Sequence, residues 1–445
     1  MRRRNFAVWR GTIHDHLLEK LDRTKDGASE KVMAAGRNGP LAALDVGSTK
    51  VCCFVATEEA GRLRVTGIGH QVSRGLRAGG ITNMEMAEEA IRSAVDAAER
   101  MAGETVREVF LGVSAGKPAS QTVDVEMSIG GQEITEKDLQ RTLKEARASY
   151  QPEGRTVIHA LPVGYTVDGN RGIRDPRGMY GESLGVSMHM VSLQNSHMRN
   201  IANCVERCHL GVAGMVSAPY ASGLASLVED EMDLGVTVID MGGGSTSFAV
   251  FYDGEMVYNE VIPVGGGHVS NDIARGLSTT LANAERMKTL YGNALASPAD
   301  EKEIIDVPLI GEMDHDVANH VPRSMLVGII KPRLEEILEL VNDRLTASGF
   351  NKVAGRRAVL CGGAAQLSGV QELTARVLDK QVRMGKPIRV KGLADATDGP
   401  AFTTVAGLLS YAVRERFDEG IKMSVAERPP KNRLLRVGNW FKENF

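Results

Sequence analysis

A chain of 445 residues, 42% apolar and 24% charged, holds enough apolar material for two or three domains with separate cores, which excludes collagen-like, mucin-like and wholly disordered classes. No run of about 18 apolar residues is present to span a bilayer, the basic start Arg2-Arg3-Arg4 leads into polar residues rather than a secretion core, and five cysteines without a C-x-x-C pair fit reduced thiols in the cytoplasm rather than disulfides or zinc. The net charge of −3 divides into +4 over residues 1–40, +4 over residues 428–445 and −11 between them, so the acidic body argues against nucleic acid while the basic ends suit an anionic membrane or an acidic partner.

Residues 1–39 form an extension that closes in Gly36, Asn38 and Gly39. Phe6, Trp9, Ile13, Leu17 and Leu21 recur at helical spacing within it, which permits either a short amphipathic helix or a flexible tail. Apolar runs at Leu41–Asp45, Lys50–Thr57 and Leu63–Gly69 then predict a β-meander opened by the turn Gly47-Ser48-Thr49. Ala87, Ala90, Ile91, Ala94, Val95 and Ala98 share one helical face within Met84–Met101, and Val109–Val113 is the next strand. Between residues 114 and 191 the texture changes to alternating strands and a helix capped at Thr135, which predicts a small inserted α+β unit. A helix at Met198–Cys208 follows, where Cys204 and Cys208 are expected to be packing residues, and then a strand at Gly211–Val216.

The second half restarts the pattern. Val236–Asp240, the turn Gly242-Gly243-Gly244-Ser245-Thr246 and Phe248–Phe251 repeat the strand–turn–strand unit about 195 residues after the first. Helices are predicted at Val269–Ala274, Ala282–Leu290 and Leu326–Thr346, then a buried strand at Arg357–Cys361 and a helix at Phe402–Val413. Gly265-Gly266-Gly267 is expected to be a turn between lobes, since it breaks the dinucleotide fingerprint and no P-loop motif is present.

Each hairpin has an aspartate, Asp45 or Asp240, two residues before a glycine. One such turn is an ordinary connection; two facing one cleft supply two carboxylates and two anion-cradling loops, which suits a metal-bridged polyphosphate.

With Gly362-Gly363-Ala364 as an adenosine motif, these hairpins resemble the actin, hexokinase and heat-shock ATPase superfamily. That resemblance implies an α/β, two-lobed, actin-like fold of duplicated ribonuclease-H-like domains. It implies ATP as ligand, Mg²⁺ held through water by Asp45 and Asp240, and phosphates held by Gly47, Ser48, Thr49 and Gly242, Gly243, Gly244, Ser245 and Thr246. Gly362, Gly363 and Ala364 would pass the adenosine, and Glu285 and Lys288 would touch ribose or base, unless they form only a surface ion pair.

Val72-Ser73-Arg74-Gly75, Gly79-Gly80-Ile81, Val205-Glu206-Arg207-Cys208, Val261-Ile262-Pro263, Ser270-Asn271-Asp272 and Gly362 to Gln366 are similar to the FtsA family of bacterial cell-division proteins, from about residue 41 to the end. The resemblance implies a first lobe at 40–114, 192–224 and about 400–415, an FtsA-type insert at 115–191, a second lobe at 225–257 and 336–399, and its small subdomain at 258–335. It further implies polymers on the cytoplasmic face of the membrane at the division site, the carboxyl-terminal peptide of FtsZ as partner of the small subdomain, and a neighbouring protomer or later division proteins on the insert. Arg333, with Glu335 and Glu336 beside it, is the candidate peptide contact or else a solvated helical face. A small-molecule kinase of the same superfamily is the alternative, disfavoured because the insert has the wrong texture for a sugar pocket.

The carboxyl terminus supports a membrane role on its own chemistry. Residues 416–431 have a linker composition, and in 432–445 Leu434, Val437, Phe441 and Phe445 form one helical stripe flanked by Leu435 and Trp440, with Arg433, Arg436 and Lys442 beside it. That is the pattern of an interfacial amphipathic helix on anionic lipid, with a terminal helix docked on the core as the alternative, disfavoured because the preceding linker frees the segment from its own domain. Finally, ATP-hydrolysing relatives carry Glu-Pro-x-Ala before the second hairpin, whereas this chain has Ala218-Pro219-Tyr220-Ala221, so hydrolysis is expected to be weak. Asp240 is expected to serve metal alone, with no part in the core.

Overall fold

Two sheets share one plan. In the first, β1 (Leu41–Val46), β2 (Lys50–Glu59) and β3 (Arg62–Val72) form an antiparallel meander, while β1 pairs in parallel with β4 (Glu108–Val113), which pairs in parallel with β9 (Gly211–Ser217). In the second, β10 (Val236–Met241), β11 (Thr246–Tyr252) and β12 (Glu255–Ile262) repeat the meander, and β10 pairs in parallel with β15 (Arg357–Cys361), followed by β16 (Gln381–Met384). The computed structural model describes residues 39–59, 62–310 and 318–426; the expected amino-terminal helix and the carboxyl-terminal stripe lie outside them.

Alternation along the strands sorts their side chains. Leu41 and Ala43 of β1, and Val236 and Val238 of β10, join one buried cluster between the sheets, while Leu44 and Ile239 belong to the outer cores of their own lobes. Since side chains repeat every second residue, the next positions on the inner faces are Asp45 and Asp240. Both apolar runs therefore end in a carboxylate directed between the lobes.

On the outer face of the first sheet lies α1 (Met84–Ala102), capped by Asn83, whose side chain accepts from the Met86 N–H; the predicted stripe is its buried face. The inserted unit is a four-stranded sheet ordered β5 (Ala119–Glu133), β8 (Tyr180–Gln194), β6 (Arg155–Val167), β7 (Asn170–Ile173), with α2 (Glu136–Ser149) against it. Thr135 and Asp138 cap α2 reciprocally, as their spacing predicts. The helix α3 (Asn195–Glu206) returns the chain to the first lobe.

Two helices cross between the lobes, α4 (Ala218–Ser226) and α10 (Thr403–Ala426). Their backbones meet at Gly407, where a Cβ would stand 1.7 Å from the Ala221 carbonyl oxygen, so any side chain there would force the helices apart. The second lobe adds α5 (Glu229–Leu234), α6 (Gly266–Gly276), α7 (Leu281–Tyr291), the hairpin β13 (Ile304–Pro308) and β14 (Ala318–Pro322), α8 (Arg323–Ala347) and α9 (Val370–Leu378).

Three expected boundaries move. The helix α10 runs on to Ala426 through much of the expected linker, because no proline interrupts the chain before Pro429. The strand β17 (Val390–Lys391), expected in the second lobe, pairs with Leu63 and Arg64 of β3 and completes the edge of the first sheet. Residue 335, the expected end of the small subdomain, lies inside α8, whose apolar repeat continues past it.

The insert also grips the second lobe. His189 Nδ1 donates to the Met256 carbonyl at 2.9 Å, Ser120 Oγ accepts from the Asn259 N–H at 3.2 Å, and Asn259 Oδ1 accepts from Ser217 Oγ at 3.0 Å. The Ser217 N–H donates to His159 Nε2 at 3.0 Å. Burial pushes His159 down to about 3, with nearby His189 adding to the effect, and His189 down to about 4 against its bond to Met256. A histidine depressed in the folded state stabilises above its unfolded value and loses that contribution as pH falls toward the folded one. Stability should therefore fall between pH 6.5 and 4 by on the order of 3 kcal/mol per ring, and the melting temperature with it. A His159→Gln/His189→Gln double variant should flatten that slope in calorimetric scans, and an unaltered slope would assign it to other groups.

Candidate functional site

The two hairpins close in the same way. The Gly47 N–H donates to the Lys50 carbonyl at 3.0 Å, and the Gly242 N–H donates to the Ser245 carbonyl at 2.9 Å. Their tips touch across the cleft: a Cβ on Gly243 would stand 2.2 Å from Thr49 Cγ2, and one on Gly244 would stand 2.3 Å from Ser48 Oγ. Glycine at these two positions is thus favoured by the close approach of the opposite hairpin. Ser48 Oγ also accepts from the Gly79 N–H at 2.7 Å, and Ser245 Oγ donates to the Ser114 carbonyl at 3.3 Å.

Below the tips is a cavity of about 110 Å³ lined by Asp45, Gly47, Ser48, Thr49, Asp240, Gly242, Gly243, Gly244, Ser245, Gly362 and Gly363. A second, of about 300 Å³, shares Thr49, Gly243 and Gly363 with it and adds Glu285, Lys288 and Ala364. The pair has the form of a small chamber between the hairpins adjoining a larger one at Thr49, Gly243 and Gly363, as a polyphosphate joined to a nucleoside requires.

Thr246 departs from this set. It is fully buried and shares a strand face with Phe248 and Val250 in the outer core of the second lobe. Strand alternation turns Ser245 and Ser247 to the cleft instead, and both line the smaller cavity.

Burial raises Asp45 to about 6; Lys50 opposes the shift and Asp240 adds to it. Asp240 is also raised by burial, against hydrogen bonds from Thr404 and Ser222 and the charge of Lys50. Thr404 Oγ1 and Ser222 Oγ both donate to Asp240 Oδ2, at 2.8 and 3.0 Å. Asp240 therefore ties β10 to both crossing helices, which corrects the expectation that it has no part in the core. Among the described residues no cluster of three or more His, Cys, Asp or Glu is placed to hold a metal. Two opposed carboxylates, Asp240 buried and Asp45 half-buried, fit a cation that keeps most of its water and takes its remaining ligands from phosphate, as Mg²⁺ does.

Glu285 and Lys288 pair at 2.8 Å, and Lys288 also donates to the Gly266 carbonyl at 3.1 Å and to Ser270 Oγ at 2.8 Å. They are thus an ion pair and cavity-lining residues together. Gly265-Gly266-Gly267 is part of the site rather than a turn between lobes, because the Gly266 and Gly267 N–H groups donate to the Gly242 and Gly243 carbonyls at 2.9 and 2.7 Å as α6 begins. Lys50, Ser114, Ser247 and Thr404, which motif spacing did not single out, also line the smaller cavity. Ser247 was legible from strand period alone.

Arg333 lies elsewhere, on α8, where its guanidinium pairs with Asp272 of α6 and with Glu336; Glu335 pairs with Lys331 at 3.5 Å. Cys204 and Cys208 are free thiols, with Cys208 Sγ 3.3 Å from the Cys204 carbonyl.

Family models describe residues 237–407 as the cell division protein FtsA and residues 115–192 as the SHS2 domain inserted in FtsA. The FtsA of Agrobacterium fabrum is 43% identical over 429 residues, covering 93% of this chain and 97% of its own length. The chain belongs to the FtsA family. In three dimensions it is similar to the PilM–PilN type IV pilus biogenesis complex, with a TM-score of 0.58 and 16% identity over 84% of this chain and 98% of that one. It is also similar to MreB 5 of Spiroplasma citri bound to AMPPNP, with a TM-score of 0.52 and 13% identity over 86% and 99%. These likenesses bear out the actin-like fold of the FtsA chain, and its inserted sheet is the unit expected at 115–191. No described helix of this FtsA-family chain is long and apolar enough to cross a membrane.

Proposed function

We propose that this FtsA-family chain is an ATP-binding, actin-like adaptor that polymerises on the cytoplasmic face of the membrane at the division site and anchors FtsZ there. The observation that carries this reading is the pair of matched hairpins, which brings Asp45 and Asp240 around one cavity in a member of a cell-division family. Asp45 and Asp240 would hold Mg²⁺ through water; the hairpin residues would hold the phosphates, and Glu285, Lys288, Gly362, Gly363 and Ala364 the nucleoside. Bound Mg²⁺ would offset phosphate charge. The small-molecule kinase reading is disfavoured by family membership.

The small subdomain is the proposed seat of the FtsZ carboxyl-terminal peptide, and the insert the proposed contact for a neighbouring protomer or later division proteins. Arg333, Glu335 and Glu336 are proposed as peptide contacts, although Arg333 would first have to leave Asp272. The test is co-sedimentation of the chain and a labelled FtsZ peptide with anionic vesicles in ATP or ADP, with and without residues 432–445. Peptide carried to vesicles only by the full chain supports the reading, and vesicle binding indifferent to the tail overturns it. Arg333→Glu should reduce the carried peptide severalfold, and an unchanged amount removes that residue from the contact.

Ala218, the first residue of α4, lines the smaller cavity, and among the described residues Asp45 and Asp240 are the carboxylates that line it. A base that positions water typically contributes about 10²–10⁴-fold, so ATP should bind and turn over slowly. Ala218→Glu should raise single-turnover hydrolysis if the helix start is retained. A wild-type rate of roughly 1 s⁻¹ or more would contradict this expectation.

A further inference from the structure

Lys50 opens β2 on the face that Cys52 and Phe54 bury between the lobes. Its Nζ donates to the Ala401 carbonyl and stands 3.5 Å from the centroid of the Phe402 ring. It lines the smaller cavity, where the other ionisable side chains are Asp45 and Asp240. An ammonium has three N–H donors, and the carbonyl takes one. Lys50 acts on both carboxylates through their charge rather than through a hydrogen bond.

Removing an ammonium from water costs several kcal/mol unless an anion or several hydrogen bonds replace the hydration. The Ala401 carbonyl takes one N–H and the Phe402 ring faces the ammonium as a cation–π contact, which leaves N–H donors of Lys50 for a further acceptor. A polyphosphate in this chamber would meet two carboxylates, and a hydrated metal claimed by those carboxylates leaves phosphate oxygens in want of a cation. Lys50 is the positive side chain lining the chamber.

We propose that Lys50 is the cation that recognises the terminal phosphates of the bound nucleotide, and so sets the preference of the cleft for di- and triphosphates over monophosphate. The proposal rests on the nucleotide reading of the two hairpins and adds a residue outside the Asp-x-Gly motifs. Burial lowers the pKa of Lys50 from its ordinary value, with Cys52, Asp45 and Asp240 opposing, as for an ammonium taken out of water beside two carboxylates.

The test is calorimetric titration of the full chain and of Lys50→Gln with ATP, ADP and AMP in excess Mg²⁺. Glutamine retains a donor for the Ala401 carbonyl and removes the charge. Loss of a charge-assisted contact should weaken ATP and ADP by about 10- to 100-fold and leave AMP within about twofold, with a second variant, Lys50→Met, giving the same split. Equal weakening of all three nucleotides, or no weakening, would overturn the proposal and leave Lys50 as a tie between β2 and the start of α10. A wild-type chain that binds none of the three would overturn the nucleotide reading and this proposal with it, an outcome distinct from wild-type binding that Lys50→Gln does not alter.

Discussion

Asp240→Asn is expected to lower Mg²⁺-dependent ATP binding by at least about 100-fold, the effect of removing one of two charged ligands from a hydrated metal in a buried site. Asparagine suits the test better than alanine. Asp240 Oδ2 accepts from Ser222 and Thr404, and truncation would remove the acceptor that both buried hydroxyls share, leaving them chiefly each other at 3.0 Å, at a cost of about 1–3 kcal/mol. The amide oxygen can take the place of Oδ2 and accept from both, so the variant should melt cooperatively within a few degrees of wild type. Calorimetric titration with MgATP, and with ATP in chelator, separates the metal-dependent part. Unchanged affinity in a folded variant would remove the second hairpin from the nucleotide site.

Release from anionic vesicles is the expected result of Trp440→Glu or Phe441→Glu. Inserting four or five apolar side chains at roughly 1.5 kcal/mol each gives about 6–8 kcal/mol gross, and the entropy lost in ordering the tail offsets most of it. What remains is marginal for one tail, so a single carboxylate on the apolar stripe should abolish flotation of the monomer. Several tails on one polymer bind by effective concentration, and conditions that favour self-association should partly restore binding by the weaker variant. Full retention by both variants at low protein concentration would move the membrane contact elsewhere, with the Phe6 and Trp9 stripe of the amino-terminal extension next to be tested.

Much of the cleft was legible because its determinants are local. A glycine turn between two apolar runs, with an aspartate two residues before it, is set by a few neighbouring residues, and its repetition exposes the duplicated plan before any contact is known. The α1 stripe and the Thr135–Asp138 cap are local in the same sense, since a helix brings residues three and four apart together wherever it lies. Strand period was equally local: it assigns Ser247 rather than Thr246 to the cleft once the inner face is identified by Asp240.

The tertiary structure decided the pairings between groups far apart in the chain. Asp240 meets Ser222 and Thr404 because α4 and α10 cross between the sheets, and that crossing depends on Gly407 lying against Ala221. Lys50 finds Ala401, Arg333 finds Asp272, and Val390 joins β3, none of which any periodicity encodes. Period and turn chemistry are properties of a short segment, whereas the partner of a buried charge or an open strand edge is selected by which surfaces the whole chain must remove from water.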